Sequence, residues 1–153
     1  MADLNDIYSS RLLDLAADIP NSVPLSAPDA VASAHSKLCG STVKVELCHD
    51  GDRVVSFGQT VKACLLGQAA AAIVGRELIG TTFDEFRKVA SQMRDMLKAN
   101  GPPPEGRWSD LGLLEPVRPY KARHASTLLV FDAVERAIDM VSNANSTRAA
   151  SAI

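Results

Sequence analysis

SKLCGSTVKVELC, residues 36–48, changes period part-way through. From Thr42 onward Val43, Val45 and Leu47 alternate with Lys44, Glu46 and Cys48, the spacing of a half-buried strand. Ahead of it, Leu38-Cys39-Gly40-Ser41 forms a tight corner. His49-Asp50-Gly51-Asp52 is a turn signal, and Arg53 to Ala63 reads as a second strand with Val55, Phe57 and Val61 on its buried side. The result is a hairpin with one dry face and one wetter face.

Helical patterns flank this hairpin. Leu4 to Ala17 places Leu4, Ile7, Tyr8, Leu12, Leu15 and Ala16 close to one face, with Asp3 as N-cap. Asp18 to Pro28 holds three prolines and reads as an extended linker. Cys64 to Ile79 is an alanine-rich helix ended by Gly80. Thr82-Phe83-Asp84-Glu85 has capping-box spacing, and Phe86, Val89, Ala90, Met93 and Leu97 follow at helical intervals. Asn100-Gly101 and three prolines stop that helix, and residues 101–121 form a connection carrying the one tryptophan, Trp108. His124 to Val141 is a last amphipathic helix with Leu128, Phe131, Val134, Ile138 and Val141 inside. The order predicts an α+β sandwich, a small antiparallel sheet packed against helices. Residues 1–142 form the domain and 143–153 a flexible tail.

The bulk composition narrows the function. A length of 153 residues suits one domain, and a net charge of −2 argues against nucleic acid or an anionic membrane as the main partner. No apolar run reaches spanning length, and the acidic start lacks the pattern of a signal peptide. Three cysteines are an odd count and too few for a disulfide framework, which points to reduced thiols in a cytoplasmic protein. Phosphate-loop and GxSxG patterns are missing. His124 and Ser126 stand two apart in a helix and so point away from each other.

The thiols are the chemically informative residues. Cys39 precedes the first hairpin strand and Cys64 follows the second, so an antiparallel hairpin brings both to one end of the sheet. Cys64 also starts a helix, where free N–H groups and the macrodipole favour thiolate, the form that binds soft metals and accepts sulfur. Buried packing is the competing role for both. Cys48 lies at the far end beside the turn and reads as structural. His35 and His49 read as solvated loop and turn residues, whereas His124 begins the last helix, near where a third segment could close the site.

Tyr8 with Leu13-Asp14, PDAVASAHSKLCGS (28–41), DGDRVVSFGQTVKACLLGQAAAAIV (50–74) and PVRPYKARHASTLLVFDAV (116–134) together resemble the IscU/NifU/SufU family of iron–sulfur cluster assembly scaffolds. The resemblance covers about residues 4–141, and the late segment looks most like the SufU branch. It implies an α+β sandwich whose members use three cysteines and an aspartate to hold zinc, iron or a nascent [2Fe–2S] cluster. It also implies sulfur received from a cysteine desulfurase and a product passed to apo iron–sulfur client proteins. The first two family cysteines fall on Cys39 and Cys64. The aspartate position is Ser41, and gap-free placement puts the third cysteine at Ser126, or at Ala125 after a one-residue shift.

Hydroxyls at those positions are poor metal donors. The implied metal set is Cys39, Cys64 and His124, with Ser41 and Ser126 in the remaining family positions. Two protomers could pool Cys39 and Cys64 into the four thiolates of a [2Fe–2S] cluster. The expectation is an iron–sulfur scaffold, a carrier rather than an enzyme. The alternatives are a zinc-binding sulfurtransferase relaying sulfur from the desulfurase, or a degenerate adaptor without metal.

Overall fold

The computed structural model describes residues 10–37 and 40–151, with side chains as far as residue 142. Helix α1 (Ser10–Ala17) is followed by strands β1 (Ala30–His35), β2 (Thr42–Asp50) and β3 (Arg53–Lys62). Helices α2 (Leu65–Glu77) and α3 (Phe83–Lys98), a 3-10 segment (Gly106–Val117) and helix α4 (His124–Ser151) complete the chain. The predicted α+β class is the observed one. The part of the first predicted helix before residue 10, and its Asp3 cap, lie outside the described residues.

The sheet runs β1-β2-β3, antiparallel throughout. Strand β1 is an addition to the expected hairpin. Its burial alternates, with Ala30, Ala32 and Ala34 inward and Val31, Ser33 and His35 outward. Helix α4 packs across β1 and β2 on this inner side, and also against α2 and α3. Alanine on β1 lets that helix approach closely.

The hairpin differs from the expected pattern at one point. Cys48 pairs with Ser56 and His49 with Val54, so Val55 is an extra residue in a bulge. The bulge reverses the phase. Val54 becomes buried, Val55 is 45% exposed, and Phe57 keeps its predicted inward place. Val61 is partly buried against the core.

The helices follow their sequence signals closely. Thr82 caps α3 by accepting from the Glu85 amide at 3.2 Å. The predicted inner residues of α3 and of α4 are all buried. Phe86 is central, stacked on Phe131 at 5.8 Å and meeting Trp108 edge-on at 6.0 Å. Trp108 reaches this core because the proline-flanked connection winds into the 3-10 segment. Helix α4 runs beyond Val141, where its predicted inner stripe ends.

The linker after α1 closes one side of the sheet. Asn21, in the left-handed region at φ 64°, accepts at its carbonyl from the Gln59 amide of β3 at 2.7 Å. A side chain at Gly58 would lie 2.9 Å from the Val23 carbonyl, so the linker's path requires glycine there. On the opposite edge Arg136 of α4 donates to the Ser33 carbonyl of β1 at 2.6 Å.

Candidate functional site

The register brings the two cysteine-bearing junctions to one end. His35 pairs with Thr42, and Thr42 pairs with Lys62. The corner from Ser36 to Ser41 therefore adjoins the β3–α2 junction that holds Cys64. The Ser36 amide donates to the Ser41 carbonyl at 2.9 Å, and the Gly40 amide donates to Ser36 at 2.9 Å. Gly40 takes φ 70°, a conformation that side chains rarely adopt, which fits glycine at this turn. Cys39 lies outside the described residues. Ser41 is buried at 4% exposure.

Cys64 occupies the N-cap position of α2 in extended conformation, half-buried, with no side-chain cap bond. Its Sγ lies 2.8 Å from the Oγ of Ser126, a residue of α4 that is 2% exposed. Ser126 is thus the residue of the last helix that faces Cys64. Ala125 is exposed and lines a recess of about 580 Å³ with Lys98, Arg118 and Lys121.

Gly67, one turn into α2, makes this approach physically feasible. A Cβ there would stand 2.8 Å from the Ala63 Cβ and 3.0 Å from the Ser126 carbonyl oxygen. The sequence signal for this was a glycine inside an alanine-rich helix, which marks close backbone approach. The helix reading alone did not single it out.

His124 is buried, and its Nε2 lies 3.0 Å from the Arg118 carbonyl and 3.2 Å from that of Val117. Two positions along a helix turn a side chain by about 200°, so the imidazole and the Ser126 hydroxyl leave α4 on different sides. The structure brings Cys64 and Ser126 together and holds His124 against the backbone before α4. Among the described residues, no three His, Cys, Asp or Glu side chains gather in metal-binding geometry.

The remaining candidates lie elsewhere. Cys48 is at the turn end of β2, its Sγ 3.4 Å from the Ala27 carbonyl. His49, expected in solvent, is half-buried, its Nδ1 2.8 Å from the Gly51 carbonyl and its ring 5.8 Å from Phe83. The turn meets the start of α3, where the Phe83 amide donates to the Asp52 carbonyl at 2.7 Å. His35 is exposed, as expected.

The chemistry of this end is that of a soft nucleophile beside a hydroxyl. The thiol can bind soft metal or accept sulfur, while the hydroxyl offers a hydrogen bond and little metal affinity. Among the described residues, the donor set at this end does not fit a closed tetrahedral zinc site, which needs four strong ligands.

No family model and no curated protein matches the chain. Among solved structures, the N-terminal part of a nitrogen-fixing NifU-like protein from Brucella abortus is 51% identical. That match covers 92% of this chain and 97% of the other, with a TM-score of 0.90. The chain belongs to the IscU/NifU/SufU family. A second structure, described as an iron–sulfur cluster assembly scaffold for the SUF system of Fervidobacterium islandicum, shares 20% identity over 89% of this chain and 99% of its own. Its TM-score of 0.81 shows a shared fold.

Proposed function

We propose that this family member is an iron–sulfur assembly scaffold that builds its cargo on Cys39 and Cys64. A cysteine desulfurase supplies the sulfur, and apo iron–sulfur proteins of the cytoplasm take the product. The observation that supports this most directly is the half-buried Cys64 thiol at a helix start, 2.8 Å from Ser126 and beside the Ser36–Ser41 corner. A thiol in that place is partly accessible, and the helix N-terminus favours an anion there.

One chain offers two thiols at this end, whereas a [2Fe–2S] cargo takes four thiolates. Two protomers related by a two-fold axis supply the other pair, so loading and dimerisation go together. Ser126 fills the place from which a third thiolate would act, and its hydroxyl is a hydrogen-bond partner for Cys64 rather than a ligand. Ser41 and His124 complete the candidate set only weakly, through a hydroxyl donor and through an imidazole already facing two carbonyls.

Anaerobic incubation with ferrous iron, a desulfurase supplied with cysteine, and dithiothreitol tests the proposal; the dithiol supplies the electrons that, with those from ferrous iron, reduce persulfide sulfur to the sulfide of the cluster. Sulfide-to-iron charge-transfer absorbance should develop with about one cluster per two chains. Cys39→Ala and Cys64→Ala should each abolish it. Ser126→Cys should raise the yield and hold the cargo longer, because a third thiolate then faces the site. Failure of the unmodified chain to bind iron or develop that absorbance defeats the scaffold reading.

A further inference from the structure

Charge is distributed unevenly along this chain in a way that the fold converts into a face. The segments 30–45, 53–76 and 116–131 contain none of the chain's 18 acidic residues. Each contributes a part of the Cys64 end: the Ser36–Ser41 corner, the β3–α2 junction and the start of α4. The first two adjoin through the Thr42–Lys62 pair, and the last two through the Cys64–Ser126 contact. Lys37, Lys44, Lys62 and Lys121 are exposed on these segments, and Arg118 and Arg123 are half-buried. A protein with net charge −2 thus carries a cationic end.

A recess opens at the start of α4, where its lining residue Ala125 immediately precedes Ser126. It measures about 580 Å³, is lined by Lys98, Arg118, Lys121, His124 and Ala125 among others, and has no acidic lining residue. Arg118 is held in place by donation to the Met96 and Gly101 carbonyls and by Glu115, 3.2 Å away. Glu115 neutralises part of that one cation. Lys98 and Lys121 are exposed, and no described carboxylate forms an ion pair with either. The ion pairs that do form concentrate on other surfaces, where Arg87 meets Asp139 and Arg94 meets Asp132 and Glu135.

We propose that this end is the docking face for an acidic segment of a partner protein, with one of its carboxylates seated in the recess between Lys98 and Lys121. Leaving cations without counter-charges is unfavourable through self-repulsion, and an acidic partner relieves it while steering its approach to Cys64. The partner's acidic character follows from the face itself. Only its identity as the sulfur-delivering protein rests on the proposed function.

Titration of the 15N-labelled full chain with an acetylated hexaglutamate peptide tests the face directly. At about 20 mM salt the amides near Lys37–Lys44, Lys62–Gly67 and Arg118–Ala125 should shift, and the shifts should fade towards about 0.5 M salt. Lys98→Glu combined with Lys121→Glu should weaken binding by about tenfold or more, whereas Lys88→Glu on the exposed flank of α3 should leave it unchanged. Absence of shifts at low salt, or equal binding by the double variant, overturns the proposal. So does inorganic phosphate that moves the same amides as strongly, because that marks a small-anion site.

Binding of a cysteine desulfurase by the same variants separates the two readings. Peptide binding at the face with no desulfurase binding by the unmodified chain leaves the acidic docking face standing and removes the assigned partner. Desulfurase binding that ignores both salt and the double variant removes the desulfurase as the acidic partner and leaves the scaffold reading intact.

Discussion

The Cys64 end and the α3–α4 flank are built from opposite materials. On the flank, Arg87, Arg94 and Arg107 each meet a carboxylate, and Phe86, Trp108 and Phe131 pack beneath them. At the Cys64 end, segments without acids bring together cations, a thiol and three buried serines, Ser36, Ser41 and Ser126. The flank's three arginines are paired within the chain, whereas Lys37, Lys44, Lys62 and Lys121 at the other end have no ion pair among the described residues. Stability and function are therefore separable by mutation.

The largest effect should come from the flank's core. Phe86→Ala removes a fully buried ring between Trp108 and Phe131, and should cost about 3–5 kcal/mol in urea unfolding. A cost under about 1 kcal/mol would mean that the aromatic cluster does not support the fold.

Gly67→Ala strikes at the boundary between the two regions. Alanine gains about 1 kcal/mol in helix propensity, but its Cβ would meet the Ala63 Cβ at 2.8 Å and a backbone oxygen of Ser126 at 3.0 Å. The overpacking should win and leave a net loss of about 2 kcal/mol. It should also move α4 away from Cys64, visible as faster alkylation of that thiol relative to Cys48. Unchanged alkylation and stability would show that the approach of α4 does not depend on Gly67.

A smaller effect is expected where α1 is fastened. Asp110 accepts from Arg76 at 2.7 Å and from Arg11 at 3.2 Å. Hydrogen bonding from Arg76 is the main cause that holds its carboxyl below the usual aspartate range, with Arg11 adding to it. The contribution is full above the unfolded value of about 4 and is lost as pH falls through the depressed folded value. The melting-temperature gap between the unmodified chain and Asp110→Asn should therefore be constant above about pH 5 and narrow steadily as the pH falls below the unfolded aspartate value of about 4. A gap that widens on acidification would contradict the assignment.

The smallest change should come from Arg87→Ala. That ion pair with Asp139 is solvent-exposed and should be worth less than about 1 kcal/mol, despite its 2.7 Å length. A larger loss would mean that the flank's charges act as a network.

Legibility in the sequence differs between regions for physical reasons. The hairpin and the inner faces of α3 and α4 could be read because their apolar spacing reflects burial directly. Strand β1 could not, because its hydrophobicity is inverted: the buried residues are alanines, and its largest apolar residue, Val31, is among the exposed ones. Periodicity detects large buried side chains, and here a close helix selects small ones. The bulge at Val55 was hidden for a similar reason, since Val54 and Val55 are identical in kind and only strand pairing decides which turns inward. At the site, strand order was enough to place Cys64 beside the corner. The choice of Ser126 over Ala125 needed the rotation of α4, which no local pattern encodes.

The linker of residues 18–28 has a further consequence. A three-stranded sheet has two open margins, each a template on which another extended chain can add. Asn21 takes up one amide of β3, the Val23 backbone crowds Gly58, and Arg136 covers a carbonyl on β1. The prolines in that linker cannot donate to a growing ladder. The segment thus acts as a guard against self-templated fibre growth, and its loss would be felt first in solubility, before any change at the thiol.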